Sequence, residues 1–345
     1  MSPNSRPPLV GILIPAFNSA PWIAETIRSA LAQTWPRKEI IVVDDGSTDD
    51  TLAVARRFAS GQVAVATQPN QGAAAARNTA LSMSQADVIQ WLDADDLLAP
   101  DKIARQMEAG AGPRTALSSA WGAFLHRPAA ARFSPGPLWD SLSRADWLVR
   151  KLQHNAYMPT ATWLVSRELT NAVGRWDTRL SLDDDGEYFA RVIASSDGVS
   201  FVPHARVMYR MSGCGRLSHI DHANDRKLTS LLLSMRLHLK YLRAIEDSER
   251  VRAACVEYLQ RNLICYYPRR PDLVAELHAL AAELGGRLHA PKLPRKYDWI
   301  RPLFGWEAAK RMQAVGPAIR WSIVRRWDRM LANDAGRRDL STCCS

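Results

Sequence analysis

A mixed, mainly parallel α/β sheet flanked by helices, followed by a helical C-terminal region, is what three features of these 345 residues predict. Short β-branched runs alternate with amphipathic stretches from Leu9 onward, the pattern of parallel strands joined by crossover helices. The early strands run into acidic, turn-forming residues, as at Asp44-Asp45-Gly46 and Asp93-Ala94-Asp95. After Asn224 the periodicity becomes almost wholly helical. The chain therefore divides into a domain of residues 1–220 and a helical, basic region of residues 221–345.

In order, Leu9 to Pro15 reads as the first strand, and Trp22, Ile23, Ile27, Ala30, Leu31 and Thr34 recur at helical spacing behind Asn18 or Ser19 as cap. Glu39 to Val43 is the second strand; Ser47 or Thr48 caps a helix through Ala59. A strand at Val63 to Thr67, a helix at Gly72 to Ser84 and a strand at Asp87 to Leu92 complete a βαβαβαβ order. Beyond Pro100 come a helix to Ala109, strands at Thr115 to Leu125 and Ala161 to Ser166, a helix at Glu187 to Ser196, and strands to Tyr209. Helices at Asp225 to Ile245, Ser248 to Cys265, Pro271 to Leu284 and Trp306 to Leu331 follow.

Hydrophobic residues make up 47% of the chain, enough for a sizeable core. There is no apolar run of about eighteen residues, and Met1 to Pro8 is polar and proline-containing, which predicts a cytoplasmic protein without spanning helix or signal peptide. Cys214, Cys255, Cys265, Cys343 and Cys344 lack zinc-type spacing and read as reduced thiols. The net charge of +10 lies mostly after residue 220. Nucleic acid is not expected as its partner, because no reader motif is present and the acidic strand ends repel phosphate unless a metal intervenes.

Open sheets of this kind bind ligands at the carboxyl ends of their strands. There Asp93 and Asp95 project to one face, with Ala94 opposite. Two such carboxylates suit Mg²⁺ or Mn²⁺ completed by substrate phosphates, although Asp95 and Asp96 can also serve as simple turn caps. Asp44-Asp45-Gly46-Ser47 can accept a hydrogen bond from a nucleobase or merely form a turn. Asp183-Asp184-Asp185 suits a helix N-terminus electrostatically, and crowding there can raise a carboxyl toward a useful general base.

Four segments taken together resemble family 2 glycosyltransferases of the GT-A fold: Val10 to Asn18, Ile41 to Asp49, Asn70 to Asn78, and Leu92 to Asp96. The resemblance extends over about the first 215 residues. It implies that Pro15, Ala16 and Phe17 line a nucleobase pocket, that Asp45 binds the base and that Asp44 supports its loop. Arg77 and Asn78 then flank the donor nucleotide. Asp93 and Asp95 match the DxD element, Asp95 touching Mn²⁺ or Mg²⁺ and Asp93 touching ribose or the surroundings of the metal. Trp176-Asp177-Thr178-Arg179-Leu180 and Asp184-Asp185 resemble the F-D-x-x-L and E-D elements, which puts Asp185 in the place of the catalytic base with Asp184 where glutamate is usual. Tyr209-Arg210-Met211 matches a Y-R-x-H type element without its histidine, leaving His219 as a distant candidate ligand.

The function so implied is inverting transfer of a sugar from a nucleotide-diphosphate sugar to a saccharide or lipid-linked acceptor in surface polysaccharide or glycolipid synthesis. UDP is the default nucleotide, with GDP and dTDP open. A catalytically inactive nucleotide-sugar-binding protein and a metal-dependent phosphohydrolase are the competing functions. Near the C-terminus, Trp299, Phe304, Trp306, Trp321 and Trp327 interleave with arginines. That composition suits either peripheral contact with an anionic inner membrane surface or a packed helical subdomain with a solvated basic rim.

Overall fold

The computed structural model describes residues 6–110, 112–211, 225–292, 300, 302–306, 312, 328 and 330. The N-terminal part runs β1 (Val10–Ala16), α1 (Ile23–Leu31), β2 (Lys38–Asp44), α2 (Thr51–Arg56), β3 (Val63–Thr67), α3 (Ala73–Met83) and β4 (Val88–Trp91). It continues through β5 (Leu97–Leu98), α4 (Lys102–Glu108), β6 (Thr115–Phe124), β7 (Arg132–Phe133), α5 (Arg144–His154), β8 (Leu164–Ser166), α6 (Arg167–Val173), α7 (Asp184–Ser195) and β9 (Gly198–Arg210). Three helices follow: α8 (Asp225–Ile245), α9 (Glu249–Tyr266) and α10 (Pro271–Glu283).

Among the described residues the strands form one sheet in the order β3-β2-β1-β4-β8-β6-β9-β5, with β7 paired to β6. Pairing is parallel across β3, β2, β1 and β4 and between β6 and β9. It is antiparallel where β8 joins β4 to β6 and where β5 meets β9. The parallel strands read as continuous apolar runs because both faces are covered. On β1, Val10, Ile12 and Ile14 pack with α1, α2 and α4, while Leu13 enters the core on the opposite face.

That second core is continuous from Leu13 and Trp91 through α5 and α7 to Leu232 and Met235 of α8 and Leu259 of α9. The helices after residue 224 are thus packed onto the sheet domain. Of the aromatic C-terminal residues, Phe304 is exposed and Trp306 packs edge-on against Tyr267 at 4.8 Å. The expected helix through Trp321 and Trp327 lies outside the described residues. Among the described residues, no helix is long and apolar enough to cross a membrane. Cys255 is a buried thiol, whereas Cys214, Cys343 and Cys344 lie outside the described residues.

Several local expectations are corrected. Asn18 and Ser19 do not cap α1, whose N-cap position is Trp22; they belong to a loop bonded to residues 47–51. α2 is shorter than predicted at both ends, since Ser47 to Asp49 serve that same loop. α5 and α6, capped by Ser143 and Ser166, were not anticipated, and residues 160–162 form a 3-10 turn before a shorter β8. α7 starts at Asp184 rather than Glu187, which brings both catalytic candidates into its first turn.

Lys102 is fully buried behind β4, its Nζ donating to Gln90 Oε1, and burial pushes the amine well below its ordinary range. The unfolded chain therefore binds a proton that the folded chain does not, so this group makes stability rise with pH below the ordinary lysine range. The slope is at most about 1.4 kcal/mol per pH unit. Lys102→Met should gain stability relative to the parent as pH falls from 9 to 7, measured by urea unfolding. An unchanged difference across that range would mean that folded Lys102 carries its charge.

Candidate functional site

The carboxyl ends of β1, β2 and β4 lie side by side. Their register sets Ala16 beside Asp44 and Leu13 beside Trp91, so Phe17, Asp45 and the Asp93 loop emerge along one edge of the sheet. Pro15 and Ala16 are buried within β1, whereas the Phe17 ring is 48% exposed at the rim. The rim is fixed by Asn18, at φ 47°, whose Oδ1 accepts from Thr48 N at 2.8 Å, while its own N–H donates to Ser47 Oγ at 3.0 Å.

Asp44 and Asp45 are both buried. Asp44 accepts from Thr67 Oγ1 at 3.1 Å and from Ser47 N at 3.3 Å. Asp45 Oδ1 accepts from Gln68 Nε2 at 2.7 Å and Gln71 N at 3.0 Å, and Oδ2 accepts from Gly72 N at 2.7 Å. It therefore anchors the segment leading into α3. A carboxylate offers about four lone-pair directions, so one on Oδ2 is left for an incoming N–H. Gly46 makes the turn possible: its φ is 69°, and an added Cβ would fall 2.8 Å from Asn70 N.

Arg77 joins the two acidic clusters. From α3, its Nη2 donates to Asp93 Oδ1 at 2.8 Å and its Nη1 to Asp184 Oδ2 at 2.7 Å, with the guanidinium carbon 4.3 Å from the centroid of Trp176. The side chain is almost fully buried, and its two carboxylate partners hold its pKa above the ordinary arginine value despite that burial. Asn78 Nδ2 donates to Trp176 O at 3.0 Å and its Oδ1 accepts from Trp176 N at 2.8 Å. Its amide is occupied in tying α3 to the segment before α7.

Asp185 is half-buried in the first turn of α7, with Oδ1 accepting from Gly186 N at 2.9 Å. Burial, then repulsion from Asp184 and Asp183, pushes its carboxyl up to about 7, while Arg77 pulls it down. Burial also raises Asp184, which Arg77 opposes. Beneath them Trp176 and Tyr188 stack at 4.0 Å with 3° between planes, and both meet Trp91 edge-on. This aromatic floor carries the Asp93 strand and the first turn of α7 as one unit.

Asp95 is half-buried, and its backbone carbonyl accepts from Arg210 Nε at 2.7 Å. Arg210 N donates to Asp96 Oδ1 at 2.9 Å, and its guanidinium pairs with Glu25 between the rings of Trp22 and Phe124. Arg210 is thus the brace of the Asp93–Asp96 turn, a role that the sequence reading of Tyr209-Arg210-Met211 did not include and that Glu25 gave no sign of sharing. His219 lies outside the described residues. Among the described residues no group of three or more His, Cys, Asp or Glu side chains is arranged to hold a metal ion. The hard-oxygen pair Asp93 and Asp95 suits Mn²⁺ or Mg²⁺ only with further oxygens from a bound diphosphate, and Arg77 already occupies Asp93 Oδ1.

Residues 11–132 match the family model described as glycosyl transferase family 2. The hyaluronan synthase of Pasteurella multocida is 31% identical over 191 residues, covering 53% of this chain and 20% of that protein. The chain spans less than half the length of the curated relatives it matches first. Among solved structures, S. aureus TarS 1-349 in complex with UDP superposes with a TM-score of 0.58 at 16% identity, over 80% of this chain and 88% of that one. The mannosyltransferase PcManGT from Pyrobaculum calidifontis, in complex with GDP-Man and Mn²⁺, gives 0.50 at 22% identity, over 92% and 81%. The likeness to glycosyl transferase family 2 is thus carried by residues 11–132, and the sheet with its flanking helices has the GT-A-like fold of these solved structures.

Proposed function

We propose that this chain transfers a sugar, with inversion at the anomeric carbon, from a nucleotide-diphosphate sugar to an acceptor hydroxyl in surface polysaccharide or glycolipid synthesis. The observation that carries the reading is Arg77, which ties Asp93 of the strand-end pair to Asp184 beside Asp185. It links the strand-end carboxylates to the turn whose Asp185 carboxyl is raised toward neutrality.

In this reading Asp185 takes the proton of the acceptor hydroxyl as its oxygen bonds to the anomeric carbon and the carbon–oxygen bond to the diphosphate breaks. Asp95, aided by Asp93, would hold Mn²⁺ or Mg²⁺, which would supply positive charge to the diphosphate leaving group. Phe17 covers the nucleobase, with Pro15 and Ala16 shaping the pocket through the backbone. Asp45 receives a base N–H on its remaining lone pair, and Asp44 holds the turn. Arg77 restrains Asp93 and Asp184, and Asn78 keeps Trp176 under them. UDP is the first nucleotide to test, which the UDP complex of TarS supports. The acceptor is a saccharide or lipid-linked saccharide, a class that the likeness to a hyaluronan synthase favours. Residues 221–345 are assigned acceptor, membrane-surface or oligomer contact.

A thermal-shift screen of UDP-, GDP- and dTDP-sugars with and without Mn²⁺ tests the donor site. A ligand at a hundred times its dissociation constant adds about 2.7 kcal/mol. One nucleotide class should stabilise the protein in a metal-dependent way. No stabilisation by any donor, with or without metal, would sink the proposal.

A further inference from the structure

The first turn of α7 is held from outside the sheet domain, by α8. Asp183, just before that turn, adopts the left-handed conformation with φ 58°, a region that Asp and Asn tolerate better than most residues. Its carboxylate does not cap α7. It folds back over the turn instead, into space that exists because residue 186 is glycine: a Cβ there would fall 1.9 Å from Asp183 Oδ1. Ser234 of α8 donates its hydroxyl to Asp183 Oδ2, and His238, one turn further along, places Nε2 2.9 Å from the Gly186 carbonyl oxygen.

The protonation pattern of His238 follows from its partners. A carbonyl can only accept, so Nε2 carries the proton and Nδ1 is left to accept from the Tyr258 hydroxyl at 3.4 Å. Burial lowers the imidazole below its ordinary range, which keeps it neutral. His238 Nδ1, 3.7 Å from Asp183 Oδ2, therefore offers no cation to cancel the Asp183 charge. The negative charge beside Asp185 is fixed in place without being neutralised.

We propose that Asp183, Ser234 and His238 are positioning residues for the transfer reaction, with α8 gripping the Asp183 carboxylate and the Gly186 carbonyl and so setting the turn from which Asp185 acts. This rests on the reading of Asp185 as general base. The groups around that turn are Asp184 on α7, Arg77 on α3, Asp93 after β4, His238 on α8, Tyr258 and Tyr266 on α9, and Lys151 on α5. Arg77 pairs directly with the turn through Asp184. The segment after residue 224 thereby acts on the chemistry of the sheet domain through two side chains.

The test uses carboxyl carbon-13 NMR of the full chain labelled at aspartate, with the Asp185 signal identified by its loss in Asp185→Asn. Asp185 should titrate near neutrality in the parent. Ser234→Ala lets the Asp183 carboxylate turn away, and Asp183→Asn removes its charge without disturbing the backbone conformation. Each should lower the Asp185 midpoint by about one pH unit or more. Ser230→Ala is the control: its hydroxyl accepts from Ser181 N at 2.8 Å and Leu182 N at 3.0 Å on the same α8 contact but does not touch Asp183. It should leave the midpoint in place. An Asp185 midpoint in the ordinary aspartate range, an unmoved midpoint in Ser234→Ala and Asp183→Asn, or an equal displacement in Ser230→Ala would overturn the inference. The base assignment itself is judged separately, on the turnover of Asp185→Asn.

Discussion

Replacing Asp185 by Asn should lower sugar transfer by about two to four powers of ten while leaving donor binding intact. The physical basis is the position of the carboxyl, half-buried in the first turn of α7 and pushed up to about 7 by burial and two acidic neighbours. A base of that strength is ionised just above neutrality and still strong enough to take a hydroxyl proton in the transition state. Transfer by the parent should accordingly fall about tenfold per pH unit below 7, as the carboxyl protonates. The variant should have lost that limb. Its stability supplies an independent sign. A carboxyl whose folded pKa is raised holds its proton longer in the folded chain, so it favours unfolding as pH rises through the window between the ordinary aspartate value and 7. Asp185→Asn should therefore be more stable than the parent at pH 8. Donor-dependent thermal shifts, turnover against pH, and urea unfolding measure the three effects. Near-normal turnover in the variant would remove Asp185 from the reaction.

The second large effect is expected at Arg77. Arg77→Met removes the guanidinium between Asp93 and Asp184 and leaves two largely buried carboxylates without their cation. Breaking such a pair by deleting one partner costs about 3 to 5 kcal/mol, and the partial exposure of Asp93 places the expectation at the lower end, about 3 kcal/mol. The same substitution withdraws the attraction that lowers Asp185, so the acid limb of transfer should move to higher pH. Arg77→Lys should recover little, because an ammonium cannot reach both carboxylates with a planar fork or lie flat over Trp176. Denaturant unfolding and the rate–pH profile of both variants check this. A stable Arg77→Met protein with an unmoved acid limb would show that the two clusters are independent.

These two side chains illustrate how unevenly the site was legible beforehand. Asp93, Asp95 and Asp185 stood out because strand ends and helix starts are marked locally, by β-branched runs that stop at acidic residues. Arg77 was marked only through the resemblance of its segment, and its role as a bridge depends on Asp184, 107 positions away. The tie from Asn78 to Trp176 is hidden for the same reason, since the two are 98 positions apart.

The order β1-α1-β2-α2-β3-α3-β4, the acidic strand ends and the helical character of residues 225–284 were determined by the sequence alone. Each follows from hydrophobic periodicity and turn chemistry acting over a few neighbouring residues. Only the tertiary structure decided that α7 begins at Asp184, that Arg210 and Glu25 brace the Asp95 turn, and that Ser234 and His238 of α8 grip Asp183 and Gly186. Such contacts join segments 50 to nearly 200 residues apart, and they are selected by the packing of one core against another. No local pattern encodes them, because a serine on α8 looks the same in sequence whether it faces solvent or a buried carboxylate.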